Sequence, residues 1–100
     1  MPYSVKLSKS DRLHKKYKVV IIYGNKRRTV HFGDSRYSDY TKHQDDKRKE
    51  NYIKRHRVTG NWKISGIWSA SFWARYLLWN KKTLHASKRD IESRFNILFN

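Results

Sequence analysis

The chain has 100 residues, a length suited to a single domain spanning residues 1–100. Its 24 Lys and Arg against 8 Asp and Glu give a formal charge of +16. The absence of Cys excludes disulfides and thiolate metal sites. Leu, Ile, Val and Phe total only 22 residues, but four Trp, seven Tyr and four Phe supply the large apolar units of a folded core. The opening MPYSVKLSKSDR lacks the apolar stretch of a signal peptide, and no run approaches the ~20 residues of a membrane span. The sequence therefore reads as a soluble protein, intracellular or carried inside a particle made there.

Tyr3, Val5 and Leu7 alternate with polar residues and predict a short first strand. Lys9 to Lys16 is a polar loop. Tyr17 to Tyr23 (YKVVIIY) is the clearest strand, β-branched and aromatic throughout. Gly24-Asn25 supplies a two-residue hairpin turn, and Arg27 to Phe32 returns as the partner strand. That register sets Val19 opposite Val30 and Tyr17 opposite Phe32, leaving Lys18, Arg27 and His31 on the other face. Gly33 to Gln44 reads as a loop. Asp45 caps a helix with acids early and Lys54, Arg55 and Arg57 late, which suits the helix dipole. Tyr52, Ile53 and His56 form its apolar stripe. Val58 to Trp68 reads as irregular. Ser69 or Ser71 then caps a helix carrying Phe72, Trp73, Tyr76, Leu77, Leu78 and Trp79, apolar nearly all round and so central. Thr83 caps a last helix through Leu84, Ala86, Ile91 and Phe95. The expected fold is α+β: a small antiparallel sheet of two or three strands, with its hairpin at residues 17–32, followed by three helices around a Trp-rich core.

Charge is unevenly placed. Residues 1–33 hold nine basic residues and one acid, and residues 51–89 hold nine basic residues and none. Clusters at Lys26-Arg27-Arg28, Lys47-Arg48-Lys49, Lys54-Arg55-His56-Arg57, Lys81-Lys82 and Lys88-Arg89 suit the neutralisation of phosphates, which needs many charges and no special geometry. Trp62, beside Lys63, is the candidate platform for base stacking. The clusters other than Lys49 and His56, with Trp62 and Lys63, are the fourteen residues of the expected nucleic-acid-binding set, with duplex DNA as the partner and little sequence preference. A helix-turn-helix around Asn80-Lys81-Lys82 would present Ser87, Lys88 and Arg89 to a groove, but its turn lacks Gly and an ordinary helical hairpin is the simpler reading.

Catalysis finds little support. His31, His43, His56 and His85 lack zinc-site spacing. Asp39, His43, Asp45 and Asp46 are close in sequence, but a turn followed by a helix cap accounts for them. No cofactor, metal or catalytic residue is expected.

The stretch HFGDSRYSDYTKHQDDKRKENYIKRHRVTGNWKISGIWSASFWARYLLWNKKTLHASKRDIESRF resembles a family of short basic proteins of nucleocytoplasmic large DNA viruses of algae and protists. The resemblance covers residues 31–95, carried by HFGDSRYSDYT, DDKRKENYIKRHR, FWARYLLWNKKTL and ASKRDIESRF. Arg36 stands where a glycine is expected and Lys82 where a proline is. The resemblance implies a viral origin and a place in the virion, with host cytoplasm or viral factory as the assembly site; it implies no mechanism. The resulting expectation is a non-enzymatic virion-associated protein that binds viral DNA through its phosphates. The alternative is a minor capsid or cement protein whose basic faces meet acidic capsid proteins or anionic membrane head groups.

Overall fold

A computed structural model describes residues 2–100. Alternation of apolar and polar residues builds β1 (Tyr3–Lys9), β2 (Lys15–Tyr23) and β3 (Lys26–Asp34). The hairpin pairs Val19 with Val30 and Tyr17 with Phe32, as the apolar phase of both strands requires. Gly24 adopts φ +61° at the first position of the turn, where a type II′ hairpin favours glycine.

Two short helices follow. Asp39 caps α1 (Tyr40–His43), its carboxylate accepting from the Thr41 N–H. Gln44 ends α1 in the left-handed region. Asp45 caps α2 (Asp46–His56) by accepting from the N–H groups of Lys47 and Arg48. A single 3-10 turn at Ile64–Gly66 leads to α3 (Ala70–Trp73), which runs on without a break as a π-helical segment, Ala74–Leu78. Thr83 caps α4 (Leu84–Arg94) through its hydroxyl, which accepts from the Ala86 N–H. The chain closes with β4 (Ile97–Phe99).

The strand order is β3-β2-β1-β4, with β4 parallel to β1 and the other pairs antiparallel. This corrects the expected fold. The protein is α+β, but among the described residues its sheet has four strands and is mixed, and there are four helices instead of three. The additional pieces are the shortest: β4 has three residues and α1 four, too few for a period of 2 or 3.6 to show. The core differs as well. Of the four Trp only Trp73 is fully buried, its indole N–H donating to the Ile67 carbonyl at 2.7 Å. Trp62, Trp68 and Trp79 pack around the margin.

All the helices that touch the sheet lie on one side of it. Val5, Val19, Ile21, Val30, Phe32 and Ile97 point toward Ile67, Phe72, Trp73, Leu77, Leu78 and Ile91, and together form one buried cluster. Among the described residues no helix is long and apolar enough to cross a membrane.

At Gly33 the Leu78 side chain packs closely onto the sheet. The glycine's φ is +78°, and a Cβ there would lie 2.7 Å from Leu78 Cδ1. Gly24 also has positive φ, but nothing lies within 4 Å of its Cβ position. Gly33→Ala should therefore cost about 2–4 kcal/mol, backbone strain plus overpacking, and Gly24→Ala about 1 kcal/mol from strain alone. Denaturant unfolding of the two variants checks this; equal losses would mean that Leu78 yields freely and the layers are not tightly apposed.

Candidate nucleic-acid interface

The side of the sheet away from the helices is uncovered. It presents three rows across the strands: Ser4, Ile22 and Arg27; Lys6, Val20 and Thr29; Ser8, Lys18 and His31. Ile22 is 43% and Leu98, on β4, 54% exposed, which confirms that nothing packs on this face. It carries cations, hydroxyls, a few aliphatic groups and the His31 imidazole but no Phe, Tyr or Trp, and no strand residue on it is acidic. One acid reaches it from the β1–β2 loop: Asp11 lies 3.9 Å from the Lys18 ammonium. At its end, His31 Nδ1 is hydrogen-bonded to the Ser10 hydroxyl at 2.7 Å.

The pleat divides the first basic cluster. Arg27 belongs to the open face, while Lys26 and Arg28 lie in phase with the core-facing residues. There Lys26 sits 4.4 Å from the centre of the Trp68 ring. The helix divides the second and third clusters. Lys54 is paired with Glu50 at 3.0 Å. Arg48 and Arg55, two turns apart, share a different stripe with Asn51, Tyr52 and His56. Arg57 caps α2, and Lys63, Lys81, Lys82 and Arg89 are exposed and scattered. Lys88 is half-buried, 5.3 Å from the Phe99 ring. Trp62 packs against the core, with the Arg75 guanidinium 5.4 Å from its ring and its carbonyl accepting the Tyr76 hydroxyl at 2.8 Å.

The stripe on α2 forms one wall of a cleft of about 750 Å³. Lys15 and Lys16 of β2, Gly33 and Asp34 of β3, and Tyr37, Ser38 and Asp39 of the following loop form another. Ala74, Leu78 and Trp79 complete it. Both acids that line the cleft are paired. The fully buried Asp39 is bonded to the Lys16 ammonium. Asp34 is held by Arg36 through two side-chain bonds of 2.9 and 3.0 Å, which keep its carboxyl far below the usual range. Among the described residues, Lys15, Arg48 and Arg55 have no carboxylate within ion-pair distance. Sequence reasoning did not find Lys6, Lys15, Tyr37 or the cleft role of His56. The spacing of Arg48, Tyr52, Arg55 and His56 was the available signal, since residues three, four and seven apart share a helical face.

Among the described residues no group of three His, Asp or Glu converges to hold a metal ion. Asp39 and Asp45 are helix caps, and Asp46 accepts the Tyr40 hydroxyl at 2.5 Å. His43 Nδ1 accepts from the Asp45 N–H at 3.0 Å, so the ring is neutral there, and it lies 5.3 Å from the Trp79 ring. Burial, helped by nearby Arg48, lowers its pKa below the ordinary 6.5. Burial and Arg12 do the same for His31. Such a group binds its proton first in the unfolded chain. The stability gained by keeping it neutral is present above pH 6.5 and lost as pH falls below that value. The thermal midpoint should fall between about pH 7.5 and pH 5, and the fall should be smaller in His31→Asn/His43→Asn. A double variant with the parent's pH profile would remove these imidazoles as the cause.

No curated protein and no solved structure matches the chain. A family model, described as a family of unknown function (DUF5754), matches residues 5–56. That segment runs from β1 through α2 and supplies twelve of the fifteen residues lining the cleft. The match covers just over half the sequence, and the chain belongs to this family.

Proposed function

We propose that the protein binds nucleic acid through backbone phosphates, without catalysis and with little sequence preference. The observation that carries this is the uncovered sheet face. A four-stranded sheet leaves one whole side open, and Lys6, Lys18 and Arg27 occupy three successive rows of it with serine and threonine hydroxyls between them. Cations and hydroxyls are phosphate donors. The lack of Phe, Tyr and Trp there, with His31 already bonded to Ser10, suits backbone contact and not base stacking. The rest of the surface adds to the attraction: among the described residues only Lys16, Lys18, Arg36, Lys54 and Arg94 lie within 4 Å of a carboxylate. The resemblance to short basic proteins of large DNA viruses supports duplex DNA as the polyanion and the virion as the place of action.

Duplex binding followed by fluorescence anisotropy should weaken steeply with salt, with a slope of log K against log salt of roughly −4 to −7. Affinity for unrelated sequences should be similar. The variant Lys6→Glu/Lys18→Glu/Arg27→Glu should lose about 2–3 from that slope while its thermal melt stays close to the parent's, because all three side chains are outside the core. An unchanged slope, or a strong preference for one sequence, would overturn the reading.

A further inference from the structure

The cleft carries what the open face lacks. Trp79 and Tyr52 lie parallel, 3° between planes and 4.4 Å between centroids. His56 lies on the other side of Tyr52 at 4.3 Å. Tyr52 is thus covered on both faces, and the stack ends in His56, which is exposed at the cleft wall. Tyr37 lines the same space, is 70% exposed, and has no ring packed on it among the described residues. Arg48 and Arg55 face this space without a carboxylate to neutralise them. A volume of about 750 Å³ falls within the range of small-ligand sites, roughly 300–1,000 Å³.

Open-ended ring stacks and unpaired guanidiniums in one cleft select a ligand that is aromatic at one end and anionic at the other. An anion alone would leave the rings unused, and a neutral ring would leave the two arginines unpaired. We propose that the cleft binds a nucleotide unit, its base continuing the stack on His56 with Tyr37 as a second contact, and its phosphate held by Arg48 and Arg55. A free nucleotide and an unpaired nucleotide within a single strand offer the same chemistry. The site is separate from the open face and does not depend on duplex binding there.

Adenosine monophosphate, ribose phosphate and a short oligothymidylate serve as probes in calorimetric titrations of the full chain. Either the mononucleotide or the oligothymidylate should bind, and adenosine monophosphate binding should exceed that of ribose phosphate by about tenfold if the free nucleotide is the ligand. Binding of both, or of the mononucleotide alone, supports a free-nucleotide site; binding of the oligothymidylate alone supports a single-strand site. Tyr37→Ala and His56→Ala should each weaken the bound probe by about fivefold or more. Tyr37 is outside the core, so an unaltered melt for Tyr37→Ala separates lost binding from lost folding. The proposal is overturned if neither nucleotide probe binds, if ribose phosphate binds as well as adenosine monophosphate, or if both ring variants bind like the parent. Duplex DNA titrated in parallel keeps the two readings apart. Duplex binding without nucleotide binding removes the cleft alone, and nucleotide binding without duplex binding removes the open-face reading alone.

Discussion

Asp39 is the one acid that this basic chain buries completely, and the arrangement of the helices on the sheet depends on what it holds. Its carboxylate accepts from the Lys16 ammonium at the start of β2 and from both the N–H and the hydroxyl of Thr41 in α1. A buried ion pair is weak as a source of stability, because desolvation offsets much of the attraction. It is strong as a constraint, because neither partner tolerates being left alone in a low dielectric. The pair therefore fixes where the loop after β3 must return to the sheet. From that point α1 and the left-handed turn at Gln44 set the start of α2, and α2 turns Arg48 and Arg55 into the cleft.

The other acids are used in the same way. Asp45 caps α2, and Asp46 accepts the Tyr40 hydroxyl. Asp34 is chelated by Arg36, Glu50 pairs with Lys54, and Asp11 approaches Lys18. Glu92 accepts the Phe99 N–H, which ties β4 to α4. Asp90 joins Arg94 and the buried Asn80, and the Asn80 carbonyl in turn accepts the Lys49 ammonium at 2.6 Å. All eight acids thus have a structural partner, so the acids cannot also shield the cations. A chain of charge +16 repels itself, and the cost is met by one well-packed core and not by surface pairing. The excess charge stays outward and available to a polyanion.

Much of this was readable from local chemistry. Alternation in YKVVIIY fixed the hairpin register, and Asp45 and Thr83 announced the starts of α2 and α4. What escaped has physical causes. β4 exists only because Ile97, Leu98 and Phe99 find the free edge of β1, at the opposite end of the chain. Asp39 reads locally as a turn former, and its partner lies twenty-three residues away. The basic triplet Lys26-Arg27-Arg28 reads as one cluster by adjacency, although the hairpin register already sets Arg27 on the face away from the core; the pleat divides the triplet between two faces. The cleft was hidden for a stronger reason, since its walls come from two strand ends, a loop, a helix and a π turn.

That π turn decides the character of the cleft. The Trp79 N–H reaches back to the Ala74 carbonyl at 3.1 Å, one residue further than an α-helix would take it. The additional residue in the turn shifts everything after it by about 100° relative to an uninterrupted α-helix. Arg75 then fixes the result, donating to the Trp79 carbonyl at 2.7 Å while its guanidinium lies against the Trp62 and Tyr76 rings. In this orientation Trp79 meets Tyr52 face to face; in plain α-helical register its indole would turn away from α2. The last ring of the stack is then set by α2 alone, where His56 follows Tyr52 by one turn. The two surfaces therefore differ in kind because of backbone geometry. Strand pleating leaves a basic face without Phe, Tyr or Trp on one side of the sheet, and a widened helical turn brings the rings together where two arginines already point.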